Sequence, residues 1–146
     1  SKTILANVPP LHTNQATLVS IFVNHMLNSI KSLREVGREE PRIQITVQKE
    51  KTDIIIDIED NGNGISDDNM DKVFIPFFSS YEKSGPSKGM GLGMTIVKEI
   101  VEDHYRGTVG VEQSVYDRDD PGNGKVVFRI RIPYKEIAPP SEGNGK

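Results

Sequence analysis

Residues 52–60, TDIIIDIED, place four isoleucines in nine positions, and no other stretch restricts the fold as much. β-branched side chains lose rotamer freedom in a helix and pack well on a pleated surface, so this run predicts a central β-strand. The preceding RIQITVQKE (42–50) alternates apolar and polar residues and reads as a half-exposed strand. The two are expected to pair through a tight turn.

Around this pair the chain mixes strands and helices without strict alternation. KTILANV (2–8) predicts a first strand closed by Pro9 and Pro10. Thr13 or Asn14 can cap a helix that runs to about Arg34. Gly37 and Pro41 bracket a polar loop, and Ser66 opens a short helix through about Val73. Residues 79–90, SSYEKSGPSKGM, are polar and punctuated by glycine and proline, which predicts a long mobile loop. LGMTIVKEIVEDH (92–104) is amphipathic, with Ile96, Val97, Ile100 and Val101 on one side. TVGVEQS (108–114) and KVVFRIRIP (125–133) form a last strand pair across VYDRDDPGNG. The expected class is α+β: a two-layer sandwich of a mixed, mainly antiparallel sheet under about three helices. Residues 1–135 make one domain, and 136–146 a disordered tail.

Charge and composition remove several functions. The 18 basic and 21 acidic side chains leave a net charge of −3 with no basic block, so a nucleic-acid partner is not expected. No apolar run reaches the length of a membrane span, and there is no charged-then-apolar leader. Cysteine is absent, which excludes disulfides and thiolate zinc sites and fits a cytoplasmic location.

The helix of residues 21–31, IFVNHMLNSIK, carries Asn24, Asn28 and Lys31 at i, i+4 and i+7. They form one polar stripe between apolar shoulders, unlike the broad polar face of a surface helix. An amide left buried and unpaired costs roughly 1–3 kcal/mol, so the stripe calls for partners. Those partners are either a ligand or neighbouring loops.

Two glycine-rich segments suggest the ligand. GMGLGM (89–94) opens a helix after the loose loop. Its glycines allow close backbone approach, and the unpaired N–H groups of a helix start favour an anion such as a phosphate chain. The same glycines also suit a plain hinge. The segment lacks the Gly-Lys-Ser/Thr ending of a P-loop, and Met94 stands where a dinucleotide fingerprint has glycine. DNGNGI (60–65) ends the isoleucine-rich strand, placing Asp60 at the lip of the sheet with Gly62 and Gly64 beside it. An aspartate there can accept a hydrogen bond from the exocyclic amine of adenine, or the segment is simply a turn. A calcium loop is excluded, because a strand and not a helix leads into it. With a nucleotide between these segments, Asn28 can offer its carbonyl oxygen to Mg2+. Asn24 and Lys31 can then reach the ion's waters or the phosphates.

The order NHMLNSIK, DNGNGI, VFIPFFSS and GMGLGM resembles the N box, first glycine box, F box and second glycine box of sensor histidine kinases. Residues 14–133 look like their catalytic and ATP-binding domain, a Bergerat-type fold similar to those of DNA gyrase and certain heat-shock chaperones. The resemblance implies that Asn28 binds magnesium, Asp60 reads the adenine amine and Lys31 assists at phosphate. It implies that Phe74 and Phe77 anchor a mobile ATP lid, residues 79–90, and that Gly89, Gly91 and Gly93 contact phosphates. Core packing is the plain alternative for both phenylalanines. Ile65, Tyr81, Lys88, Met90, Leu92 and Met94 complete the nucleotide contacts so implied.

This chain departs from the usual pattern at His25 (commonly leucine), Ser29 (commonly alanine), Ser79-Ser80 (commonly two threonines) and Met94 (commonly leucine). His25 lies about 100° around the helix from Asn24 and is expected to be structural. ATP-hydrolysing relatives resemble one another in placing a glutamate where Asn24 stands, as base for water; an amide cannot serve so. The resemblance therefore implies phosphoryl transfer to a histidine on a separate dimerisation domain, and onward to a response regulator. An ATP-hydrolysing switch is the enzymatic rival, and a degenerate interaction module the other. No histidine of this chain fits as the acceptor, so the isolated domain is expected to be a monomer and the longer protein a homodimer.

Overall fold

The computed structural model of the chain describes residues 2–6, 8–9, 11, 13–78, 91–117, 119–120 and 123–134. The lid segment 79–90 and the tail lie outside them. Among the described residues five strands form one sheet: β1 (Lys2–Ala6), β2 (Ile43–Glu50), β3 (Asp53–Asp60), β4 (Thr108–Val115) and β5 (Lys125–Pro133), in the order β1-β2-β3-β5-β4. β1 runs parallel to β2 and every other pairing is antiparallel, which is the mixed sheet expected. The isoleucine-rich strand is central, with Ile56 opposite Val47 on one side and Ile130 on the other.

Alternation decides what each face of the sheet carries. Ile54, Ile56 and Ile58 of β3 and Val126, Phe128, Ile130 and Ile132 of β5 face the helices and fill the core. The opposite face carries charge: Arg129 grips both carboxylate oxygens of Asp57 at 2.8 Å and reaches Glu112 at 2.7 Å. Lys125 pairs with Glu59 at 3.2 Å beside it.

Helix α1 (Gln15–Val36) starts where Asn14 accepts hydrogen bonds from the N–H groups of Ala16 and Thr17. It stops at Gly37, whose φ of 64° is left-handed and whose N–H donates to Leu33 O. Ile21, His25, Ser29, Ser32 and Leu33 form its buried face. α2 (Gly93–Glu99) is shorter than the helix expected over 92–104, because Ile100–His104 continues it as a π turn. There Tyr105 donates to Ile100 O, one residue beyond α-helical reach, and Gly107 donates to Val101 O at the helix exit. The helix expected from Ser66 to Val73 is instead two 3-10 turns, Asp67–Asn69 and Lys72–Phe74. So short a segment cannot offset the cost of nucleating an α-helix. No helix among the described residues is long and apolar enough to cross a membrane.

His25 is structural, as expected. It is fully buried, its ring meets Phe128 edge-on with centroids 4.9 Å apart, and neither ring nitrogen has a partner among the described residues. Burial lowers its pKa from 6.5 to about 4. Between those values the unfolded chain takes up a proton that the folded chain refuses, so stability falls with pH. The contribution is complete above pH 6.5, and about 3 kcal/mol is lost as pH drops toward 4. His25→Leu is expected to flatten this limb and to raise stability at neutral pH by about 1–3 kcal/mol, the cost of burying unpaired polar atoms. Urea unfolding of both proteins from pH 4 to 7 checks it; parallel curves would refute the assignment.

Candidate functional site

Between α1, the end of β3 and the start of α2 lies a cavity of about 420 Å3, a size typical of small-molecule sites. Asn24, Asn28 and Lys31 line one wall. Gly91, Leu92, Gly93 and Met94 line the facing wall, while Asp60, Gly64 and Ile65 contribute at the turn after β3. The sequence stripe and both glycine segments therefore meet around one hollow.

Asp60 is buried, with 1% of its surface exposed. Ser29 donates its hydroxyl to Asp60 Oδ2 at 2.7 Å, and the Gly62 N–H donates to Oδ1 at 3.0 Å. Burial pushes the Asp60 carboxyl above its ordinary value, while those two donors oppose the shift. A polar seam continues along the turn: Ser32 donates to Asn63 Oδ1, and the Asn63 N–H returns a bond to Ser32 Oγ. Arg38 closes it by donating to the carbonyls of Asn61, Gly62 and Gly124.

Asn24 donates its amide to Ser20 O at 2.8 Å, and its carbonyl oxygen lies against the start of α2. A Cβ on Gly93 would stand 3.2 Å from that oxygen. The Asn28 side chain has no hydrogen-bond partner among the described residues. Gly91 adopts a φ of +68°, and a Cβ there would meet Phe78 O at 2.6 Å.

Three expectations need correction. The polar stripe is not flanked by buried residues on both sides: Val19, Val23 and Leu27 are about half exposed or more (47%, 49% and 61%). The amides therefore border a cavity at the edge of the core and are only partly buried. Gly62 lies behind the wall and not in it; a Cβ there would stand 1.9 Å from Ser32 Oγ, so its part is to let its N–H reach Asp60. Phe77 is neither core nor wall: it is 76% exposed with a φ of 63°, and Phe78 lines the cavity instead. Phe74 does pack on the core, edge-on to Phe128. Tyr81, Lys88, Gly89 and Met90 lie outside the described residues. Sequence reasoning missed Val73, Val126 and Phe128 as wall residues. The even alternation of β5 could have placed the last two on the helical side.

Residues 13–136 match the family described as histidine kinase-, DNA gyrase B- and HSP90-like ATPases. Sensor protein KdpD of Clostridium acetobutylicum is 31% identical over 119 residues, which is 81% of this chain and 12% of that protein. Sensor histidine kinase ZraS of Escherichia coli (strain K12) is 30% identical over 104 residues, 71% of this chain and 20% of that protein. The chain thus spans a fifth or less of the length of these relatives. Among solved structures, the mycobacterial sensor histidine kinase MprB superposes with a TM-score of 0.71 at 23% identity, covering 93% of this chain and 84% of that one. The catalytic domain of histidine kinase ThkA gives 0.68 at 23% identity, covering 90% and 77%. At that identity the structural likeness establishes the fold. Sequence and fold together make this chain a member of the histidine kinase-, DNA gyrase B- and HSP90-like ATPase family, with sensor histidine kinases among its relatives.

Proposed function

We propose that the chain binds ATP with Mg2+ in this cavity and donates the γ-phosphate to a histidine on a separate dimerisation domain, from which it passes to a response regulator. One observation carries the reading: a single cavity gathers a buried carboxylate, an amide and lysine wall, and a glycine wall. In this reading Asp60 accepts from the adenine amine. Lys31, Gly91 and Gly93 hold phosphates, with Gly89 of the lid segment joining them. Ile65, Leu92 and Met94 pack on the nucleotide, together with Tyr81, Lys88 and Met90 from the lid side; Phe77 is left out.

Among the described residues no group of three or more histidines and carboxylates can hold a metal. In this reading a divalent cation arrives with the phosphates, and the amide oxygen of Asn28 suits its preference for oxygen. When bound, Mg2+ neutralises charge on the transferring phosphoryl group. Asn24 stands where a hydrolytic base would be needed, and its amide is committed to Ser20 O. It can position a group but not take a proton from water, which supports transfer over hydrolysis. The apolar stripe left uncovered on α1 beside the cavity mouth supports an acceptor that comes from another domain.

Millimolar Mg·ATP at about 100 times its Kd is expected to stabilise the chain by roughly 2.7 kcal/mol in thermal unfolding. No shift would favour the degenerate module. Asp60→Asn is expected to weaken adenine nucleotides about tenfold or more, with or without metal, since a charge-assisted hydrogen bond is lost. Asn28→Asp should alter the Mg2+-dependent part of affinity and transfer. Calorimetric titration with and without chelator distinguishes them, and two variants that behave like the parent would refute both roles. In a multiple-turnover assay the chain should hydrolyse ATP poorly; brisk hydrolysis would favour the switch.

A further inference from the structure

Ser29 is buried, with 1% of its surface exposed, and lies outside the cavity wall; its hydroxyl reaches the cavity only through Asp60. A hydroxyl has a single proton, and here it goes to Asp60 Oδ2. A carboxylate offers about four lone-pair sites, of which Ser29 and the Gly62 N–H occupy one on each oxygen. The lone pairs left on the ionised carboxylate can only accept.

We propose, building on the ATP reading above, that Ser29 is a positioning residue that fixes Asp60 as an acceptor and thereby selects a 6-amino purine over a 6-oxo purine. A 6-amino group donates to Asp60. A 6-oxo group sets acceptor against acceptor unless Asp60 carries a proton, in which case the carboxyl can donate to it. Burial drives Asp60 toward that protonated form, and the Ser29 hydroxyl is the leading influence holding it back. The other charges near Asp60 do not replace it. Glu59 on β3 acts against ionisation and is itself paired with Lys125. On α1, Lys31 lines the same cavity, and His25, one turn before Ser29, is neutral. Arg38 is engaged by backbone carbonyls, and β5 presents only Val126 and Phe128.

Two measurements test this. In the nucleotide-free protein, carboxyl NMR titration should show the Asp60 pKa rising in Ser29→Ala and returning in Ser29→Thr, which keeps the hydroxyl. With Mg2+ present, the preference for ADP over IDP should shrink about tenfold in Ser29→Ala, the loss expected for one charge-assisted hydrogen bond. That loss should be greatest at the acid end of a pH 5.5–8 series. Ser29→Cys, close in shape but a weaker donor, should move both readouts in the same direction and keeps the test open if the alanine variant does not fold. An unchanged Asp60 pKa, or equal losses of ADP and IDP with the preference intact, would assign Ser29 a purely structural part and overturn the proposal. Failure of the parent to bind either nucleotide would sink the ATP reading and the selectivity with it, whereas the ligand-free titration reports on Ser29 alone.

Discussion

A carboxylate buried at the end of the central strand governs the surrounding structure. Asp60 cannot sit there without donors, and the neighbouring strand offers it only the apolar Val126 directly opposite, with Phe128 two residues on. The donors come from α1 and from the turn: Ser29 on one oxygen, the Gly62 N–H on the other. Each fixes something larger than itself. The Ser29 bond sets the distance of α1 from β3, and the Gly62 bond sets the path of the chain as it leaves the strand. That path requires glycine, since a side chain at 62 would strike Ser32 Oγ.

The same requirement explains why the cavity exists. Near β3 the helix and the turn are joined by side-chain hydrogen bonds, from Ser29, Ser32 and Arg38, and not by apolar interdigitation. Polar contacts of fixed length hold two elements apart as firmly as they hold them together. A core packed by methyl groups would instead close on itself. Elsewhere on α1, Ile21 and Leu33 belong to the apolar cluster that includes Ile54, Ile56 and Phe128. The hollow lies where the packing changes from one kind to the other.

Much of this was legible in the residues. Alternation placed β2 and β-branched enrichment placed β3 to within a residue, β5 lies where expected, and the isoleucine run is central. Asn14 and Gly37 behave as their chemistry dictates at the two ends of α1. What stayed hidden depends on contacts distant in sequence. α1 is apolar on both sides of its polar stripe, so periodicity alone does not say which shoulder the sheet covers; Val19, Val23 and Leu27 turned out to be on the open side. Adjacent phenylalanines pose the same difficulty. The Phe77 N–H donates to Gly91 O at 3.0 Å, and this link to a residue 14 positions on accompanies the left-handed turn that sends Phe77 outward and Phe78 inward. The π turn after α2 likewise answers to its exit at Gly107, where a Cβ would strike Arg131 O, and not to the pattern of its own residues.

The geometry of α1 also orients the proposed nucleotide. Asn24 meets the start of α2 at Gly93, while Ser29 meets Asp60, and five residues of helix separate these contacts by roughly 7–8 Å along the axis. Along α1, Ser29 thus meets the buried carboxylate and Asn24 the glycine wall, so these two parts of the cavity stand apart. A ligand with a donor amine at one end and an anionic chain at the other fits in one direction only. The reverse placement would put phosphate oxygens against a buried carboxylate, where low dielectric magnifies repulsion. In that orientation the anionic chain of the proposed nucleotide would lie on the side of Gly91 and Gly93.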